Sequence, residues 1–251
     1  MTTRIQTDSL VKTFSRARSQ HTTALQFIID QCNGYSKGQF NAVDQVTFEA
    51  YQGEKVGIIG SNGSGKSTLL RCLAGIYRPN NGTVSTQGTM VYLNGFNQGL
   101  NPRLTMRDNI LLIGSLRGLS RKTINERFDE IVDFSGLREY VDVRVKDFSD
   151  GMRMRLNFSA GILSLAYHNP DILLLDEVTL GAGGGDIVFQ EKTRTKMREL
   201  VQGGATVVYV SHNLDSIIEN CDRVLWMEKG KIQKEGLPEE VIDGYKKAQI
   251  S

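Results

Sequence analysis

The run Gly60 to Thr68, G-S-N-G-S-G-K-S-T, constrains this chain more than any other stretch. It fits G-x-x-x-x-G-K-[ST] through Gly60, Gly65, Lys66 and Ser67. Just before it, Lys55-Val56-Gly57-Ile58-Ile59 is a short apolar run and reads as a buried strand. Just after it, Thr68 to Ala74 reads as a helix. Strand, glycine-rich loop and helix in that order are what a phosphate-binding loop requires. Glycines let the backbone close around a phosphate where side chains would collide. The N–H groups of Ser61, Asn62, Gly63 and Ser64, with the helix start at Thr68, then face the anion. Lys66 reaches the β- and γ-phosphates, and the Ser67 hydroxyl helps to hold Mg²⁺.

A chain of 251 residues can bury one large core, with or without a subdomain. Its net charge of +2 argues neither for nor against an anionic partner. The cysteines Cys32, Cys72 and Cys221 are widely spaced, without a metal-binding pattern, and read as reduced thiols. No uninterrupted apolar run reaches the ~18 residues that a membrane span needs. The start, M-T-T-R-I-Q-T-D, lacks the apolar core of a signal peptide. If the protein works at a membrane, a separate subunit must provide the channel.

Ile5 to Phe14 reads as an opening strand, and Val43 to Ala50 alternates like a half-buried one. Between them, Leu25, Ile28 and Ile29 share one face of a short amphipathic helix. That face either packs on its own domain or serves a partner. Thr83 to Leu93 holds short β-like pieces broken by glycine. From Leu104 the pattern turns helical: Met106 to Gly118, Ser120 to Ser135 with Ser120 or Thr123 as its cap, and Gly151 to Ala166. Ile172 to Leu175 and Thr206 to Val210 are continuously apolar, as strands buried on both faces are. Helices are expected over Val188 to Val201 and from Leu214. A hairpin turns at Gly230, and Pro238 opens a last helix. Strands alternating with helices imply a mainly parallel sheet with helices on both faces. A helical insert, roughly 104–168, stands apart from it.

Asp176 and Glu177 end an apolar strand. A carboxylate there can hold Mg²⁺ through water, and the next can polarise the attacking water as general base. Ser211-His212-Asn213 follows the next apolar strand, which puts His212 on the same sheet edge, facing the γ-phosphate. Phe148-Ser149-Asp150-Gly151-Met152 precedes a helix. Ser149 and the Gly151 backbone form either an anion-binding helix start or an ordinary cap.

In the order and spacing of these motifs, the chain resembles the nucleotide-binding subunits of ABC transporters over almost its whole length. Gly60 to Ser67 matches Walker A, and Ile172 to Glu177 matches Walker B with its catalytic glutamate. Phe148 to Met152 stands where that family has L-S-G-G-Q, and His212 where it has the switch histidine. Phe148 to Phe158, Gly99 to Thr105 and Leu119 to Lys122 are similar to subunits that export O-antigen, capsule or teichoic acid. The resemblance implies an α/β fold: a P-loop NTPase core with a mainly parallel sheet, a helical subdomain insert and N-terminal antiparallel β elements. It implies one ABC ATPase domain spanning 1–251. It implies ATP and Mg²⁺, with Phe14 stacked on adenine (Tyr35 and Phe40 are alternatives) and Gln98 or Asn94 as a further metal contact. Each ATP then lies between the phosphate loop of one copy and Ser149 and Gly151 of another. The implied partners are a second copy, a separate integral-membrane permease and a lipid-linked polysaccharide as cargo, with no nucleic acid. The implied place is the cytoplasmic face of the inner (plasma) membrane, held peripherally. Export of another cargo and soluble work on nucleic acid are the alternatives. Asp150 replaces a small residue of the signature, and an acid there repels a γ-phosphate unless it points away.

Overall fold

The computed structural model describes residues 2–15, 38–94, 99–177 and 187–250. The expected helix around Leu25, Ile28 and Ile29 lies outside those residues, as do Tyr35, Gln98 and the glycine-rich segment 179–185. Strands β1 (Thr3–Ser15), β2 (Gln39–Tyr51) and β4 (Asn81–Thr86) form an antiparallel sheet in the order β2-β1-β4. The main sheet takes β3 (Lys55–Ile59), β5 (Met90–Asn94), β6 (Ile172–Asp176), β7 (Thr206–Val210), β8 (Arg223–Glu228) and β9 (Lys231–Gly236). Its order is β5-β6-β7-β3-β8-β9, parallel except for the β8–β9 hairpin. The expected pieces between Thr83 and Leu93 therefore part company: β4 joins one sheet and β5 edges the other.

Side chains alternate across a strand, so each central strand feeds two cores. Val56, Ile58, Ile172, Leu174, Val208 and Val210 face helix α1 (Lys66–Leu73) and the antiparallel sheet, where Ile5, Leu10 and Phe48 close the layer. Leu173, Leu175, Val207 and Tyr209 face the other way. There they meet α4 (Asp150–His168), α5 (Ile187–Gln202) and α7 (Pro238–Ile250) through Leu156, Phe189, Met197 and Val241. Each such side chain contributes about 1.5–3 kcal/mol on burial, which is why these strands occupy the centre. Helix α6 (Leu214–Asn220) follows β7.

The helical insert is α2 (Met106–Leu116), α3 (Arg121–Ser135) and the start of α4. Thr105, Ser120 and Ser149 cap these helices, each accepting a backbone N–H of the first turn. Ile110, Ile113, Ile124, Ile131 and Leu156 make their shared core. Asn109, fully buried, ties the connection from β5 onto α2. Its Nδ2 donates to the carbonyls of Asn101 at 3.0 Å and Thr105 at 2.8 Å, and its Oδ1 accepts from Asn101 N at 2.7 Å. Asn109→Ala strands these buried groups, each at a cost of about 1–3 kcal/mol. The expected result is a two-state unfolding free energy lower by about 3 kcal/mol, read by urea titration. A loss within the scatter of wild type would remove Asn109 from that role.

Candidate functional site

The parallel register brings the carboxyl ends of β3, β5, β6 and β7 to one edge. Ile58 pairs with Val210, Val210 with Asp176, and Asp176 with Asn94. Ligands of open α/β sheets sit at such edges. The loop after β3 enters α1 through Gly65, whose φ is 108°. Unlike α2, α3, α4 and α6, helix α1 has no side-chain cap; like α3, it carries no acid in its first turn. Its leading N–H groups are thus turned toward the cleft for an anion to meet.

Lys66 is buried, and its Nζ donates to the carbonyls of Gly60 at 2.8 Å and Ser61 at 2.9 Å. Burial lowers the pKa of this ammonium, while the charges of Glu177 and Asp176 work the other way. Ser67 Oγ donates to Asp176 Oδ1 at 2.8 Å, and Tyr92 Oη donates to Asp176 Oδ2 at 2.8 Å. Asp176 is itself buried, and among the described residues no ammonium or guanidinium pairs with it directly. A buried carboxylate beside a hydroxyl is an all-oxygen donor set, the chemistry that Mg²⁺ takes. Ser64 turns inward, with its Oγ buried and unpartnered among the described residues.

Glu177 stands one residue past β6 with φ 54°, a left-handed conformation unusual for a glutamate. Its N–H donates to Val210 O at 3.1 Å, which fixes it against the end of β7. Its Oε1 lies 2.9 Å from His212 Nε2. His212 is held in turn by Asn213, which caps α6 and donates its N–H to Ser211 Oγ at 3.1 Å.

A cleft of about 400 Å³ opens over the loop, lined by Asn62, Lys66, Ser67, Glu177, Phe14 and Tyr77 among others. Phe14 meets Tyr77 edge-to-face at 5.4 Å and Phe40 at 6.2 Å. Lys12 Nζ lies 5.3 Å from the Phe14 ring centre, and the Arg71 guanidinium 5.8 Å from that of Tyr77. The structure therefore brings Phe14, Lys66, Ser67, Thr68, Asp176, Glu177 and His212 together. Ser149 and Gly151 do not line this cleft. Asp150 is fully exposed in the first turn of α4 and pairs there with Arg153 at 3.1 Å. Arg71, Tyr77 and Tyr92 were not singled out from the sequence. Arg71 lies four positions after Ser67 on α1 and shares its face, which is a legible signal. No sequence signal places Tyr92 beside Asp176, because the two meet only through strand pairing.

Residues 43–180, more than half of the chain, match the family model described as ABC transporter. The chain belongs to the ABC transporter family. It is 39% identical over 210 residues to the O-antigen export system ATP-binding protein RfbB of Klebsiella pneumoniae, covering 84% of this chain and 82% of that protein. It is 38% identical to the teichoic acids export ATP-binding protein TagH of Lactococcus lactis, over 86% of this chain and 44% of that longer protein. A dimeric ATP-binding cassette solved in a post-hydrolysis state with ADP and Pi shares the fold, with a TM-score of 0.66 at 21% identity. That match covers 93% of this chain and 98% of that one. The protein is thus an ABC ATPase that binds and hydrolyses nucleotide.

In this ABC ATPase neighbouring backbone closes directly on the glycines of the loop. A Cβ on Gly65 would stand 2.1 Å from Ala42 O, at a φ of 108° that disfavours any other residue. Gly65→Ala is expected to weaken binding of a fluorescent ATP analogue by about 100-fold or more, since a tight cradle must shift. Wild-type affinity in that variant would show that the loop tolerates a side chain there.

Proposed function

We propose that this ABC ATPase powers export of a cell-surface polysaccharide, carried on a lipid, through a separate integral-membrane permease. The observation that carries the cargo is the company the chain keeps: its relatives include proteins named for O-antigen and teichoic acid export. No helix among the described residues is long and apolar enough to cross a membrane, so the translocation path belongs to the permease. On this reading the protein sits peripherally at the cytoplasmic face of the inner membrane and has no nucleic-acid partner.

The cleft supports a division of labour. The aromatic end, with Phe14 between Phe40 and Tyr77, stacks on adenine. The loop N–H groups and Lys66 take the phosphates, exchanging the carbonyls that Lys66 now contacts for phosphate oxygens. Ser67 and Asp176 are the residues that hold Mg²⁺; Gln98 lies outside the described residues. When bound, Mg²⁺ would neutralise charge on the β- and γ-phosphates and favour transfer of the γ-phosphoryl group to water, with ADP leaving. Glu177 accepts the proton of that water, with its carboxylate oriented by His212. Ser149 and Gly151 of a second copy close the site from the far side of the γ-phosphate. One domain spanning 1–251, with residues 104–168 as its subdomain, passes the closure on to the permease.

Glu177→Gln should bind ATP within about threefold of wild type yet hydrolyse it at least about 100-fold more slowly, because an amide cannot take the proton. Equilibrium binding and phosphate release measure the two quantities. Turnover near wild type would move the base elsewhere. The cargo is tested in cells that lack this gene. The wild-type chain should restore the missing surface polysaccharide, and Lys66→Ala should not. An unchanged surface glycan on loss of the gene would overturn the export reading.

A further inference from the structure

We infer that Tyr92 is a positioning residue for the divalent cation, and that with Arg71 it joins the metal end of the nucleotide cleft to its aromatic end. The inference rests on the reading that Ser67 and Asp176 hold the metal. The side chain of Asp176 can turn about its terminal torsion, which is soft. Here both of its oxygens are spoken for: Oδ1 accepts from Ser67 and Oδ2 accepts from Tyr92, each at 2.8 Å. Ser67 would meet the cation through a lone pair while its proton still serves Oδ1, and one bond to one oxygen leaves the carboxylate free to tilt about it. Tyr92 stands on the other side and has no such second duty. Its hydroxyl fixes the plane of the carboxylate so that Oδ1 stays toward Ser67.

The tyrosine is suited to that task. A phenol, with an ordinary pKa of about 10, is a proton donor throughout the physiological range. A phenol also accepts, and the Arg71 guanidinium donates to it from α1. The same guanidinium lies over the ring of Tyr77, which packs edge-on against Phe14. One continuous set of contacts thus runs Phe14, Tyr77, Arg71, Tyr92, Asp176, Ser67. It starts on β1, crosses α1, β5 and β6 and returns to α1 at Ser67, so the aromatic end and the metal end of the cleft share one run of contacts. Groups that orient a metal ligand commonly cost 10- to 100-fold in metal affinity when removed.

The test is Tyr92→Phe in the full chain, which deletes one oxygen. Mn²⁺ is titrated by electron paramagnetic resonance with a non-hydrolysable ATP analogue present, and analogue binding is measured separately without divalent cation. We expect metal affinity about tenfold weaker, with metal-free analogue affinity within about twofold of wild type. Unchanged metal affinity would overturn the inference. Ser67→Ala is run beside it: if that variant also leaves metal affinity unchanged, the assignment of the metal site itself fails. If Ser67→Ala weakens metal binding and Tyr92→Phe does not, only the role of Tyr92 falls. A double-mutant cycle with Asp176→Asn covers the case in which the phenylalanine variant melts early. A positioning residue loses its effect on metal affinity once the carboxylate is gone, whereas general loosening of the fold adds in full. Full additivity would therefore also overturn the inference.

Discussion

Three stretches of backbone meet at the phosphate loop with no side chain between them, and the rest of the molecule is arranged to keep them there. A Cβ on Gly60 would stand 2.1 Å from Met227 O, at the end of β8, and one on Gly65 the same distance from Ala42 O, in β2. The hairpin turn closes the ring: Gly230 N donates to Ser64 O, and Asp44 N donates to Gly230 O, both at 2.9 Å. The loop is thereby held from the antiparallel sheet on one side and the parallel sheet on the other. The same contact explains why an antiparallel sheet belongs to a nucleotide site at all. β2 reaches the loop at Ala42, and its pairing with β1 sets Phe14 opposite Phe40. The aromatic wall therefore arrives beside the loop as a consequence of register.

Unfavourable features gather at this one edge. Lys66 and Asp176 are buried charges, and burial depresses the lysine. Glu177 holds a left-handed backbone that costs an ordinary residue about 1 kcal/mol or more. Ser64 buries a hydroxyl that no described group satisfies. Many of the other described charges sit in solvated pairs such as Arg138 with Asp129 and Asp133, worth little to stability, although Arg223 with Glu54 and Arg4 with Asp171 are partly buried. A fold selected only for stability would not place its desolvated groups together. The two faces of apolar core behind the edge supply the stability against which these costs are set, and they hold the groups in place before a ligand arrives.

Much of this was legible from the residues. Ile172 to Leu175 and Thr206 to Val210 announce themselves as central strands because nothing polar interrupts them, and both are wholly buried. Ser120 and Thr123 both read as caps for α3, and the cap is Ser120. The motifs at Gly60, Asp176 and His212 fall on one sheet edge, as strand-to-loop order implies. What was not legible is non-local. Asn81–Thr86 and Met90–Asn94 look alike as short β-like pieces, yet they enter different sheets. Their partners, β1 and β6, lie far away in the chain, and local propensity carries no information about which partner a strand will choose. Tyr92 and Tyr77 belong to the site for the same reason: one is placed by pairing with β6, the other by packing against a strand at the opposite end of the sequence.

The signature segment shows how a cap and a binding function can share one helix end. From the sequence, Ser149 before α4 was either a cap or an anion contact. In the structure its Oγ accepts from Met152 N at 3.2 Å, so it is a cap. That bond satisfies only one of the N–H groups that a helix start leaves without a partner. The carboxylate of Asp150, which would repel an anion there, is turned out to solvent and held by Arg153. A start capped at one N–H still offers its remaining N–H groups and the positive end of the helix dipole. It lies outside the cleft of its own chain, so any phosphate it meets is one that another molecule presents. The capping reading therefore does not compete with completion of the site by a second copy. The Asp150 charge that would oppose such completion is offset by its pairing with Arg153.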